Sequence, residues 1–186
     1  SSKDLNYQVD ATEFAILPGQ TYSLKVVVNE LVFTASCQIP LRKIDRIDHQ
    51  IFKNTNGINE SISVDFQDIN GESNFYIIGG RVDEFIVNAS LEFGSQRFAS
   101  DQIRDGMDIS SLGFLEVAEA LTVNDITLQV ANVEPILYKV LYADYINKAN
   151  TNSPFYEPVI PPNNIIGESG FGVFAGYQIT EKLITY

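Results

Sequence analysis

A chain of 186 residues, 45% apolar and 19% charged, is long and greasy enough to bury a real core, which excludes an intrinsically disordered polypeptide. Its net charge of −12 repels phosphate backbones, which argues against nucleic acid as a partner and against direct adhesion to an anionic membrane. No apolar run approaches the roughly 20 residues of a transmembrane helix. Twelve Phe and nine Tyr favour strands, because aromatic rings fit a pleated, half-buried surface.

In chain order, the first stretch of regular pattern is β. Tyr22, Leu24, Val26 and Val28 alternate with Thr21, Ser23, Lys25 and Val27, the period of two expected of a strand with one buried face. Asn29-Glu30 predicts a tight hairpin into a second strand in which Leu31, Phe33, Ala35, Cys37 and Ile39 share a face. Cys37, the single cysteine, excludes an internal disulfide and reads as a small buried hydrophobe rather than a reactive thiol. Pro40 ends this unit, since it cannot donate to a ladder.

A second unit begins at Ile44, where Ile44, Ile47, Ile51 and Phe52 suggest an imperfect, bulged strand. Ile62, Val64 and Phe66 then alternate cleanly with Ser61, Ser63 and Asp65, and Asn70-Gly71 marks a turn needing positive φ. The segment from Asn74 to Phe93 is apolar enough for two strands, with Gly79-Gly80 a bulge, a bend or the break between them. Phe98 to Asn124 reads mostly as connection, punctuated by Gly106 and Gly113, with a short helical turn over Phe114 to Leu121. Ile126, Leu128 and Val130 return to alternation.

The pattern predicts one helix, over 134–148. Pro135 suits its first turn, Glu134 complements the positive N-terminal end, and Leu137, Leu141 and Tyr145 recur at helical spacing. Tyr138 and Tyr142, beside that stripe, are expected to form an aromatic flank packed on a sheet rather than a ligand platform. A Pro/Asn-rich loop (Pro154, Pro158, Pro161, Pro162, Asn163, Asn164) and spaced glycines (Gly167, Gly170, Gly172, Gly176) follow, a shaped crossing that leads into a closing strand over 172–186. Gly176 beside Tyr177 implies a close backbone approach or a bend. The fold class expected is mainly β, a β-sandwich (immunoglobulin-like or related) with one packed α-helix. Residues 1–40 form a hairpin segment and 41–186 the sandwich domain.

Catalytic chemistry finds little to stand on. His49 is the only histidine, near Asp45 and Asp48, and Ser169 lacks the Gly-x-Ser-x-Gly setting of a nucleophile elbow. One His and one buried Cys cannot supply a zinc site. Asp65, Asp68, Asn70 and Glu72 cluster around a turn as oxygen donors of the kind calcium takes, but fit no EF-hand loop and read as an acidic turn facing water. With 24 acidic residues, a facing carboxylate pair of the glycosidase type cannot be singled out. No metal, cofactor or enzymatic role is expected. The candidate ligand-binding set is on the loop: Phe155 and Tyr156 as stacking rings beside the amides of Asn152, Asn163 and Asn164. The competing reading, preferred here, is that Phe155, set between two prolines, pins the loop to the core.

The same loop carries a resemblance. Asn-x-Pro-Phe-x-x-Pro (Asn152 to Pro158), Asn164-Ile165 with Gly167, and Gly-x-Gly-x-Phe-x-Gly-Tyr (Gly170 to Tyr177) resemble the C-terminal signature of a Bacteroidota family of outer-membrane lipoproteins of uncharacterised function, often encoded beside SusC/SusD-like transporters. Family-like pieces recur in order: PGQTYSLKVVV (Pro18 to Val28), FTASCQIP (Phe33 to Pro40), DINGESNFY (Asp68 to Tyr76) and FASDQIRDGMDI (Phe98 to Ile109). Members open with a signal peptide, a lipid-bearing Cys and a further β segment, whereas SSKDLNY has none of these. The lipid anchor is therefore implied by the resemblance alone, and the hairpin is expected to be the tail of an immunoglobulin-like N-terminal domain.

What the resemblance implies is a non-catalytic, lipid-anchored protein exposed on the outer membrane. It would be a binding or assembly subunit that docks on an outer-membrane β-barrel such as a SusC-like TonB-dependent transporter, and on other surface lipoproteins. The alternative is a stand-alone glycan-binding module of the cell surface.

Overall fold

Alternating apolar residues commit most of this chain to strands, and the computed structural model describes residues 10, 12–53, 60–82, 89–117, 125–151 and 155–185. In order, the elements are β1 (Thr21–Val28), β2 (Leu31–Gln38), β3 (Asp48–Phe52), β4 (Glu60–Gln67), β5 (Phe75–Val82), β6 (Ala89–Glu92), β7 (Phe98–Ser100), β8 (Asp108–Val117), β9 (Asp125–Val133), α1 (Pro135–Ala149) and β10 (Tyr177–Thr185). They pair antiparallel into a two-stranded β1-β2 sheet and two four-stranded sheets, ordered β3-β4-β8-β6 and β10-β9-β5-β7.

The two larger sheets enclose one core. Ile62, Val64 and Phe66 of β4 and Ile109 and Leu115 of β8 meet Tyr76 and Ile78 of β5 and Ile126, Leu128 and Val130 of β9. Fully burying each aliphatic side chain of this size contributes roughly 1.5–3 kcal/mol, so these few rows dominate the stability. The protein is a mainly β sandwich with a single helix, as its alternation predicts.

Three local expectations change. Ile44 and Ile47 are each 2% exposed, yet both precede β3, tucked under the sandwich by an irregular linker rather than by a bulged strand. β5 runs unbroken through Gly79-Gly80, and the Leu91 side chain of β6 fills the space a Cβ at Gly80 would take. β8 continues through Phe114 to Val117, where a helical turn was expected. The remainder of that expected turn, residues 118–121, lies outside the described residues.

The hairpin stands as its own sheet. Asn29 and Glu30 take φ of 46° and 69°, the left-handed pair that a tight two-residue turn needs. Ala35, Cys37 and Ile39 at its root are buried, whereas Val27, Val28, Leu31 and Val32 at its tip are exposed. One bridge, Thr34 to Ile166, joins β2 to the C-terminal loop. α1 begins with Pro135 at its first turn and lays Tyr138 against Phe75 (centroids 5.1 Å) and Phe98 (5.6 Å), with Tyr142 edge-on to Phe98 at 5.2 Å. Burial, and secondarily Tyr142, push the Tyr138 hydroxyl pKa up. The flanking rings are therefore glue between helix and sheet.

Candidate functional site

The 155–176 loop is built by side-chain amides, since its prolines and glycines preclude a regular ladder. Asn163 Oδ1 accepts from the N–H groups of Ile165 (3.0 Å) and Gly172 (3.1 Å), while its Nδ2 donates to Gly170 O (3.0 Å). Asn164 donates to Ser36 O (3.2 Å) and Phe174 O (2.7 Å) and accepts from Phe174 N–H at 2.9 Å. Asn147 on α1 accepts from the Tyr156 hydroxyl and Val159 N–H, both at 2.8 Å, and donates to Val159 O. At the far end, Gly176 approaches β2 so closely that a Cβ there would lie 2.9 Å from Gln38 O.

One carboxylate locks this assembly. Glu134 occupies the N-cap position of α1 without capping it. Its Oε1 instead accepts from Gln38 N–H at 2.8 Å and its Oε2 from Gly176 N–H at 2.6 Å. Hairpin, helix and closing segment therefore meet at a single side chain. Burial, with the Glu134 charge adding to it, pushes the Cys37 thiol pKa up, which fits an unreactive buried cysteine.

The structure sorts the predicted ligand set. The amides of Asn163 and Asn164 are spent on backbone, and Tyr156 on Asn147. Asn152 lies outside the described residues. Phe155 does not pin the loop: it is 97% exposed, because Tyr156 and the asparagines do the anchoring. Missed by sequence reasoning were Ile160 (87% exposed), Ile166 (71%) and Phe171 (70%). Phe171, Ile165, Val26, Leu24 and Phe33, with Thr34 and Ser169, line a groove of about 350 Å³ between the loop and the hairpin. The signal available was a cluster of large apolar residues within a Pro/Gly stretch that has no strand or helix period.

The acidic turn is also regrouped. Asp68 gathers with Asp101 and Asp105, their oxygens within 4.8 Å of one another, rather than with the carboxylates of Asp65 and Glu72. Asp68 accepts from the Tyr76 hydroxyl (2.6 Å) and Gly106 N–H (2.8 Å), and Asp105 from Gly71 N–H at 3.0 Å. These are oxygen ligands a hard cation would accept, and the bonds they already make account for their place as a clasp between two loops. Ser169 sits on the exposed C-terminal loop and His49 on β3 opposite Val64, with no contact between them among the described residues.

His49 is half-buried, and its Nδ1 has no hydrogen-bond partner among the described residues. Burial first and Lys182 second hold its pKa below the usual value, against the opposing pull of Asp48 and Asp65. Between that lowered value and the ordinary one of about 6.5, the unfolded chain takes up a proton that the folded one refuses. Stability from this group is thus complete above about pH 6.5 and is lost as pH falls through the folded value. Urea unfolding at pH 7 and pH 5.5 should show that loss in the parent and a smaller one in His49→Gln.

These features define a class: a mainly β sandwich with one helix, braced by side-chain-to-backbone hydrogen bonds and carrying an exposed apolar rim. The chain belongs to the family described as Domain of unknown function (DUF4249), whose model matches residues 1–183. No curated protein and no solved structure matches it.

Proposed function

We propose that this protein is a non-catalytic accessory subunit of the bacterial cell surface, lipid-anchored to the outer membrane of a Bacteroidota cell. It docks on an outer-membrane β-barrel such as a SusC-like TonB-dependent transporter. The observation that carries this reading is the pairing of rigidity with apolar exposure. Phe155, Ile160, Ile166 and Phe171 point into solvent from a loop whose backbone is fixed by Asn147, Asn163 and Asn164. Flexible greasy loops collapse, whereas held ones present pre-organised anchors, and aromatic anchors dominate protein interfaces. The resemblance of the Asn152 to Tyr177 signature to surface lipoproteins supports the same partner. For the glycan-binding alternative the Phe155 ring is exposed, while the amides of Asn163 and Asn164 are engaged with backbone groups.

Extraction of the full-length protein in mild detergent should co-purify a barrel. Phe155→Asp with Phe171→Asp should abolish that association while leaving the melting temperature unchanged, since both rings are exposed. Recovery of the parent without any barrel, or of the variant with one, would refute the reading.

A further inference from the structure

The hairpin is a sheet with two outer edges, and only that of β2 is covered. Thr34 of β2 exchanges both backbone bonds with Ile166, its N–H donating at 2.8 Å and its C=O accepting at 2.7 Å. Ser36 O accepts from Asn164, and Gln38 N–H donates to Glu134. Lys25 of β1 stands opposite Thr34. Because Thr34 bonds outward, the backbone of Lys25 faces outward too, and by the alternation of an antiparallel pair so do Thr21, Ser23 and Val27. Their N–H and C=O groups point away from β2 and meet no partner among the described residues.

Unpaired edge strands invite a further strand, and proteins usually blunt them. The sandwich does so at its own edges. β10 is sealed to the linker before β3 by its side chains, Thr180 donating to Ile44 O at 2.7 Å and Lys182 to Ile47 O at 2.8 Å. β3, β6 and β7 have five residues or fewer, and β3 and β6 carry Asp48 and Glu92. β1 is the exception, eight residues long with Lys25 its single charge. Around it Val26, Val27, Val28, Leu31 and Val32 are 37% to 59% exposed.

The strand is complementary to itself. In a ladder, outward-facing residues must meet outward-facing residues, so two copies of β1 running antiparallel meet about a residue, not between two. An axis through Lys25 would oppose like charges, and one nearer either end would pair only part of the strand. An axis through Leu24 uses all of Thr21 to Val27. Ser23 then meets the partner's Lys25, Tyr22 the partner's Val26, and Leu24 the partner's Leu24. We propose that β1 pairs in this register with a second copy of the chain, so that two hairpins close into one four-stranded intermolecular sheet. The contact uses the same strand on both copies, so it closes at a dimer. It lies on the edge that the C-terminal loop leaves free, so it stands apart from the docking rim and its test needs no barrel.

Sedimentation equilibrium of the chain should show a reversible monomer–dimer transition with a Kd of about 100 µM or tighter. The amides of Ser23 and Lys25 should exchange more slowly as the concentration rises. Ser23 is exposed and faces Ser36 within its own hairpin, so charging it leaves the fold intact. Ser23→Lys sets lysine against the partner's Lys25 at two symmetric places and should weaken the dimer about fivefold, whereas Ser23→Glu should tighten it by a similar factor. Net charge alone dictates the opposite signs, because each copy carries −12 and Ser23→Lys reduces the repulsion between copies. The proposal is overturned by a chain that stays monomeric throughout, or by variants that follow net charge. It is equally overturned by Ser23 and Lys25 amides already protected in the dilute monomer, which would mean that another segment of the chain holds this edge.

Discussion

Replacing Glu134 with alanine should lower the unfolding free energy by about 3 kcal/mol, because two backbone N–H groups lose a charged acceptor, each such bond being worth roughly 1.5–3 kcal/mol. The two bonds are not equal: Gly176 is itself buried, so water cannot easily take the acceptor's place there, whereas the Gln38 bond is exposed and carries the smaller share. Glu134→Gln keeps one carbonyl oxygen but turns an amino group toward the second N–H, so about half the loss is expected. Urea unfolding gives the magnitude. Hydrogen exchange gives the place, since the amides of Gln38 and Gly176 should exchange faster while those of β4 and β9 keep their protection. A loss under about 1 kcal/mol with unchanged exchange at both amides would mean the carboxylate braces nothing.

That carboxylate was visible in the sequence only as a helix-end charge. Its two partners lie 96 and 42 residues away, and no local pattern encodes such distances. What local pattern does encode came through well. The Asn29-Glu30 turn, the Ile62–Val64–Phe66 face, the Ile126–Leu128–Val130 face and the Pro135 helix start each depend on neighbours within a few residues. Reading failed where two periods overlap. Phe114 is exposed and Leu115 buried, a strand's alternation, yet the run after Gly113 fits a helical turn equally well. Ile44 and Ile47 mimic a strand because burial alone, without a ladder, also demands apolar residues.

The candidate site was half legible for a chemical reason. An asparagine amide that binds a sugar hydroxyl and one that braces a loop carry the same donors and acceptors. Only geometry distinguishes them, as when Asn164 reaches Ser36 O across 128 positions. Phe155 posed the converse ambiguity: prolines on either side fix the backbone but do not say which way the ring faces.

Tyr76 is where the core and the loop clasp share one side chain, and its replacement should be the most costly single change. It is fully buried, its ring set edge-on to Phe66 at 5.1 Å, and its hydroxyl donates to Asp68 at 2.6 Å while accepting from Ile69 N–H at 3.2 Å. Burial, and then the bond to Asp68, push the pKa of that hydroxyl far above the ordinary tyrosine range, so it is a donor at neutral pH. Tyr76→Phe keeps the packing and removes the donor, leaving an oxygen of a buried aspartate and a backbone N–H unsatisfied, at a cost of about 2 kcal/mol. Tyr76→Ala adds the cavity and should cost about 4 kcal/mol. If hydroxyl and carboxylate act as one unit, Tyr76→Phe should cost much less in an Asp68→Ala background than in the parent, because the acceptor it strands is already gone. Equal costs in both backgrounds would instead assign the hydroxyl's whole contribution to Ile69, and would leave the Asp68 carboxylate held by Gly106 N–H.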